Sequence, residues 1–433
     1  MTVFQAAKNA SRLCYPDAPL WSLRRRRSDP LGFLEALARQ GDFVPFSLAR
    51  RQAFLLNHPE HVSAVLVSHS ARFQKGSANH RAKQLLGNGL LTADGALHAE
   101  RRATIQPAFA RKRLENCSPL MVARARTMCE RWCDGQVVDV TQSIGALTFG
   151  VVGQAVIGAE VEPLFEDVRR AAFDATASVD PLLSLVAPLR QVRVAQQRLR
   201  AIVESLVPRV AQGGSDGALL SLLQEGDFGP RTREQLVDDV LTILLAGHDT
   251  ITSALTWTFL LLASHSIVEE NLRAELDSVL GSRDATVDDL PNLVYTRGVL
   301  AESLRLYPPA WVLARHAVEA HHFAEGTVPA GTLVLVSQYL LHRDERYFSR
   351  PHRFDPDRWR AGQPDRPRLA YFPFGAGPRS CIGEGLAWME GMLLLATIAQ
   401  RWRLRSLGSE FPEIEARITL RPRQRVLLRA SAI

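Results

Sequence analysis

Five cysteines occur in the 433 residues, and Cys381 sits in a loop whose spacing packing alone does not explain. The loop reads Phe374-Gly375-Ala376-Gly377-Pro378-Arg379-Ser380-Cys381-Ile382-Gly383. A cysteine binds metal as the thiolate, which needs an apolar shield, peptide N–H donors and restricted water. Gly375 and Gly377 can take the backbone angles of a tight loop around the sulfur. Cys381 falls just before a helix expected to start near Gly383, where the positive dipole end favours a thiolate. Gly383 has no side chain to hold a flat macrocycle away, and Phe374 can cover the sulfur. Arg379 is set to pair with an anionic group through charge-assisted hydrogen bonds. The bland alternative is a buried cysteine in a glycine turn. The five fixed residues, Phe, Gly, Arg, Cys and Gly, recur by chance in on the order of one chain in ten thousand of this length.

Four other constellations can carry or support chemistry. Ala246-Gly247-His248-Asp249-Thr250 places an acid beside a hydroxyl inside a long helical pattern. Glu302-x-x-Arg305 puts opposite charges on one helical face, as does His98-x-x-x-Arg102 for a histidine and an arginine. Arg315 follows Pro308-Pro309 on a short strand, and Pro356-Asp357-Arg358-Trp359 offers another arginine. Each alone reads as a solvated polar turn or a surface ion pair. Cys129 and Cys133 lie one turn apart without further ligands nearby, so packing is their role.

Taken together, these segments resemble the cytochrome P450 family, from the His98 helix to Gly383 and the helix beyond; Ala159 to Gly229 carries no family motif. The resemblance implies haem b with Cys381 as axial ligand, cradled by Phe374, Gly375 and Gly383. It implies propionate contacts from His98, Arg102, Arg315 and Arg379, with Arg101 left on the surface. Glu302, Arg305 and Arg358 become a structural network behind the cysteine loop. Thr250 handles oxygen and protons, and Asp249 supplies protons unless an ion pair ties it up. His248 belongs to the helix surface or its packing. The implied reaction inserts one oxygen atom from O2 into a lipophilic substrate. Leu244, Leu245, Ala246, Trp311, Val312 and Leu313 are the expected pocket, and the stretch Leu304 to Trp311 resembles bacterial members acting on carotenoids, terpenoids or fatty acids. The alternatives are a haem-thiolate peroxygenase, an isomerase or dehydratase, or a non-enzymatic haem sensor.

Composition is that of a globular chain, 46% hydrophobic and 22% charged, with a net charge of +7. The basic run Arg24 to Arg27 lacks the aromatic interleaving of a nucleic-acid site. A basic surface suits an acidic electron carrier. No flavin or iron–sulfur pattern is visible, so a separate ferredoxin or flavodoxin with its NAD(P)H-dependent reductase is expected, docking near Arg111, Lys112 and Arg113. Met1 to Leu20 contains no continuous apolar core of a signal peptide. The run Ile251 to Ala263 is too short to span a bilayer. The expectation is a cytoplasmic monomer without a membrane anchor.

The elements that must position these residues are mainly α with a minor β region, in a single triangular haem domain over residues 1–433. Phe43 to Phe46 and Ala53 to Leu56 predict a small hairpin, Pro59 to Val67 a helix, and Gly76 to Gly89 a loop. Helical patterns run from Leu97 to about Leu280, with breaks at Gly135, Gly158, Pro163, Pro188 and Gly213-Gly214. Thr232-x-x-Gln235 predicts a capping box opening a helix to about Ser264. A helix at Tyr295 to Leu306, strands at Val312 to Val318 and Leu333 to Val336, a loop-rich Arg350 to Phe374 and a helix Glu384 to Arg401 complete it. The substrate channel is expected within 159–229.

Overall fold

The computed structural model describes residues 29–48, 51–158, 160–179, 189–212, 232–362, 365–408 and 410–433. The basic run Arg24 to Arg27, the Pro188 and Gly213-Gly214 breaks, and much of the expected channel segment lie outside the described residues. Helices dominate, as the periodicity predicts. In chain order the principal ones are α1 Pro30–Ala38, α2 Gly76–Leu86, α3 Gly95–Ile105, α4 Arg111–Glu130, α5 Val140–Val152, α6 Phe165–Val179, α7 Leu189–Gln212, α8 Arg233–Ser264, α9 Ser266–Leu280, α10 Val294–Leu306 and α11 Glu384–Arg401.

Among the described residues, short strands accompany them: β1 Phe43–Leu48, β2 Arg51–Leu56, β3 Phe73–Gln74, β4 Val137–Asp139, β5 Leu313–Ala317, β6 His321–Phe323, β7 Gly326–Val328, β8 Leu333–Val336, β9 Trp402–Ser406, β10 Ile414–Ala416, β11 Leu420–Pro422 and β12 Leu427–Ala432. The largest sheet runs β1-β2-β8-β5-β3. The predicted hairpin forms its edge, with Phe43 opposite Leu56, and β2 then pairs parallel with β8. Arg315, on β5, faces Val334 of β8. The β10–β11 hairpin pairs Ala416 with Leu420, leaving Arg417, Ile418 and Thr419 as its tip.

Helix α8, 32 residues long, is the central element. Its start is the capping box: Gln235 N–H donates to Thr232 Oγ1, and Thr232 N–H donates back to the Gln235 side chain. Apolar residues occupy nearly its whole circumference, so it must lie inside the molecule. Leu241, Leu244, Leu255 and Trp257 are fully buried in the main core, together with residues of α4, α5 and α11.

One expectation is corrected here. Gly76 to Gly89 is not a loop but helix α2 with glycines at its two ends. Gly76 (φ 70°) must lack a side chain because a Cβ would fall 1.7 Å from His316 Nδ1, and Gly87 (φ 69°) ends the helix in a conformation open to glycine. Among the described residues, Val140–Ile157 is apolar and long enough to cross a membrane, but 67% of it is buried inside the fold. That burial marks a core helix.

Candidate active site: cysteine loop, cationic edge and an accessible stretch of helix

The cysteine loop is closed by its own backbone. Cys381 N–H donates to the Phe374 carbonyl at 2.8 Å, tying the two ends of the motif. Gly377 (φ 70°) is obligatory, because a Cβ there would sit 1.9 Å from the Leu66 carbonyl oxygen. Gly375 also takes φ 70°, and its missing Cβ faces Leu313. The Phe374 ring packs on Trp388 of α11 at 5.8 Å, and the Arg297 guanidinium of α10 lies over the same indole at 4.9 Å. Cys381 is accessible, yet burial among surrounding atoms pushes its thiol pKa up while the Gly383 N–H bond to sulfur pulls it down. Both observations hold for a sulfur that faces an internal space.

A second accessible stretch lies on α8. Among residues otherwise buried on this helix, Leu245, Ala246, Gly247, Asp249 and Thr250 are accessible, with Ala246 the most exposed. Thr250 Oγ1 donates to the Ala246 carbonyl at 3.0 Å, a back-bond that occupies its proton and leaves its lone pairs free to accept. Asp249 is held by Thr419 of the β10–β11 tip, whose hydroxyl donates to Oδ2 at 2.8 Å. His248 points the other way: its Nδ1 bonds the Leu244 carbonyl and its ring packs on Phe149, as the packing reading expects. Leu244 and Trp311, two of the expected pocket residues, have almost no free surface. The Trp311 indole donates to the Arg417 carbonyl at 2.6 Å.

A cationic edge borders the cysteine loop. Arg102 donates to the Ser380 carbonyl at 2.7 Å, beside Cys381. Arg379 donates to the Phe73 carbonyl and pairs with Asp94. Lys75, His98 and Arg315 are disturbed by the positive charges around them, Arg102 and Arg379 among the sources, and Asp94 is the carboxylate that opposes this. Burial first, then the neighbouring arginines, lowers the Lys75 ammonium to about 7. Burial and Lys75 lower His98 to about 4, so its imidazole is neutral. Burial and Arg379 lower Arg315 to about 10.

Behind the loop, Glu302 and Arg305 are fully buried. Arg305 uses all five N–H donors: two on Glu302, three on the carbonyls of His342, Pro351 and Arg353. Glu302 also accepts from Arg358 Nε at 3.2 Å, the Trp359 indole at 2.9 Å and the Asp355 N–H at 3.1 Å. His342 Nε2 then accepts the Phe372 N–H at 3.0 Å, carrying the network to the start of the motif. The expected trio is therefore assembled, with Trp359 and His342 as members the sequence did not single out.

Arg101 is a correction. It is not on the surface but 2% exposed, and its guanidinium meets Asp239 of α8 at 2.7 Å. The adjacent Asp238 accepts the Asn88 N–H at 2.7 Å and pairs with Arg200 of α7, so the loop after α2 and helix α7 share one anchor. Asp94, Lys75 and Thr419 also escaped sequence reading. The one available signal was the position of Asp94 just before a helix, where it serves as N-cap.

A haem fits these residues. The sulfur faces an interior space and already receives a peptide N–H, and the edge beside it carries more positive charge than Asp94 balances, as a pair of propionates requires. Two open clefts, of about 640 and 580 Å³, lie elsewhere and are lined by charges already paired, such as Arg124 with Glu162 and Arg346 with Asp42.

Comparison with known proteins agrees with this reading. The family model described as Cytochrome P450 matches residues 21–429. Cyclooctat-9-en-7-ol 5-monooxygenase of Streptomyces melanosporofaciens is 37% identical over 396 residues, covering 87% of this chain and 85% of the relative. Pentalenene oxygenase of Streptomyces avermitilis is 32% identical over 402 residues, covering 89% and 88%. The crystal structure of CYP175A1 from Thermus thermophilus superposes with a TM-score of 0.77 at 27% identity, covering 96% of this chain and 98% of that one. Retinoic acid-bound cyanobacterial CYP120A1 has a TM-score of 0.86 at 24% identity, a likeness of fold alone. The cysteine loop, the buried Glu–Arg network and the family match over nearly the whole length agree: the chain belongs to the cytochrome P450 family and is an oxygen-incorporating oxidoreductase.

Proposed function

We propose that this enzyme inserts one oxygen atom from O2 into a lipophilic terpenoid, with carotenoids and fatty acids as the neighbouring classes. The observation that carries the reading is the acid–hydroxyl pair Asp249-Thr250 on the accessible stretch of α8. Haem b held through Cys381 supplies dioxygen activation and oxygen insertion. His98, Arg102, Arg315 and Arg379 hold its propionates. Asp249 brings protons inward, and Thr250, whose own proton is committed to Ala246, accepts a hydrogen bond from the incoming water or hydroxyl. Ala246, Leu245, Val312 and Leu313 offer the substrate apolar contacts.

The terpenoid preference is supported by relatives whose names denote oxidation of an unsaturated alcohol at position 5 and of pentalenene. The intact acid–hydroxyl pair supports dioxygen over peroxide as the oxidant. Electrons come from a ferredoxin or flavodoxin with its NAD(P)H-dependent reductase. Leu114 neighbours Gly385, so the start of α4, with exposed Arg111 and Lys112, lies near the cysteine-bearing end of α11, which supports docking of such a carrier there. A cytoplasmic monomer with one haem domain completes the proposal.

The test compares reduced, carbon monoxide-bound spectra of wild type and Cys381→Ala, then supplies ¹⁸O2 with a terpene panel. A thiolate-type red-shifted Soret band confined to wild type, with one labelled oxygen in a product, supports the proposal. A histidine-type spectrum in both proteins, or no label in any product, overturns it.

A further inference from the structure

Asp249 does not sit free in the wall of the site. Its carboxylate accepts a hydrogen bond from Thr419, 170 residues later in the chain, and Thr419 is 6% exposed. The hairpin tip that carries Thr419 is fixed in register on α8. Ser253 Oγ donates to the Leu420 carbonyl at 2.6 Å, and the Trp257 indole donates to the same oxygen at 2.9 Å. Asp249, Ser253 and Trp257 are spaced four residues apart, so they form one stripe along the helix. Leu420 N–H donates to the Pro309 carbonyl and the Trp311 indole to the Arg417 carbonyl, clamping the tip from the other side. Four hydrogen bonds therefore set where the Thr419 hydroxyl stands.

We propose that Thr419 is a positioning residue for oxygen chemistry: its hydroxyl fixes the Asp249 carboxylate in the orientation from which protons are delivered. This rests on the reading of Asp249 as the proton supplier. A carboxylate on a single-bond pivot has two broad orientations about its terminal torsion. With Oδ2 committed to Thr419, Oδ1 is the oxygen left to exchange protons with water beside Thr250. His248, the neighbouring titratable group on α8, spends Nδ1 on the Leu244 carbonyl and packs its ring on Phe149, while it feels the charge of Asp249. Proton delivery depends on placement within hydrogen-bond reach, so loss of this contact slows it without removing the acid.

The experiment uses haem-loaded wild type, Thr419→Val, Thr419→Ser and Asp249→Asn. A difference infrared spectrum of wild type minus Asp249→Asn identifies the Asp249 carboxylate stretch. That band shifts in Thr419→Val and returns to its wild-type position in Thr419→Ser if the contact exists. In parallel, NADPH, a plant-type ferredoxin with its reductase, and dioxygen alone are supplied, and the share of electrons released as hydrogen peroxide is measured. Thr419→Val raises that share a few-fold, Thr419→Ser restores it, and equal haem content and carbon monoxide spectra show that the fold is intact. An unmoved infrared band in Thr419→Val overturns the inference. So does a moved band with unchanged peroxide when Asp249→Asn itself alters peroxide, an outcome that leaves the Asp249 role standing. Unchanged peroxide in Asp249→Asn removes that role and the inference with it.

Discussion

Two clusters of charge flank the cysteine loop, and they are balanced in opposite ways. Around Glu302, every donor of Arg305 has an acceptor and the carboxylate collects five hydrogen bonds, all inside the core. Around Asp94, four cationic side chains and His98 press on one another, and burial and repulsion lower the pKa values of Lys75, His98 and Arg315. A buried pair that is fully hydrogen-bonded holds structure, and removing one member leaves the other uncompensated. A cluster with surplus charge is a site awaiting a partner of opposite sign. The contrast separates residues that build the site from residues that bind in it.

Substitutions test that division. Glu302→Gln is expected to have the largest effect, a loss of about 3–5 kcal/mol. It is read as a lowered thermal midpoint and reduced haem content, and a variant with wild-type stability would contradict the structural role. Arg315→Ala is expected to act with the other sign on the chain itself: the haem-free protein is no less stable, while haem is held roughly ten- to a hundredfold less tightly. Transfer of haem to a competing apoprotein measures the second effect and urea unfolding the first.

The cationic edge also predicts a pH dependence of the haem-free chain. Lys75 binds its proton less readily when folded, between about 7 and the ordinary 10.5, so its contribution to stability rises with pH across that window. His98 does the same between about 4 and 6.5, so stability falls as acid is added through that range. Urea midpoints should fall less steeply below pH 6.5 in His98→Gln than in wild type; an identical slope would exclude His98 as a source. The smallest effect is expected for Trp359→Phe, which removes one indole bond to Glu302 and costs about 1 kcal/mol. A calorimetric melt resolves it.

What the sequence revealed follows the range of the interactions involved. The cysteine loop was legible because its chemistry is contained in ten consecutive residues. The α8 cap was legible because Thr232 and Gln235 satisfy each other three residues apart. Helix α2 was read as a loop because glycines imposed by His316 and Asp238, both distant in sequence, looked like turn residues. Arg101 and Arg102 are indistinguishable as neighbours in a chain; Asp239, 138 residues away, decides which one is buried. Thr419 was silent for the same reason, since nothing near it announces a carboxylate on α8.

The adjacent acids Asp238 and Asp239 bear on how this enzyme can diversify. Asp239 is committed to the interior through Arg101, but Asp238 fastens the loop at Asn88 and helix α7 at Arg200 to the same point of α8. The two fastenings differ in evolvability. Gly87 cannot accept a side chain, because a Cβ would lie 2.1 Å from the Asp238 carboxylate, whereas Arg200 keeps part of its surface in solvent. Variation at Arg200 loosens the hold of α7 on α8 while the cationic edge, the Asp249–Thr250 stretch and the Glu302 network stay untouched. Of the two fastened elements, α7 is therefore the one whose seat on α8 single substitutions can alter.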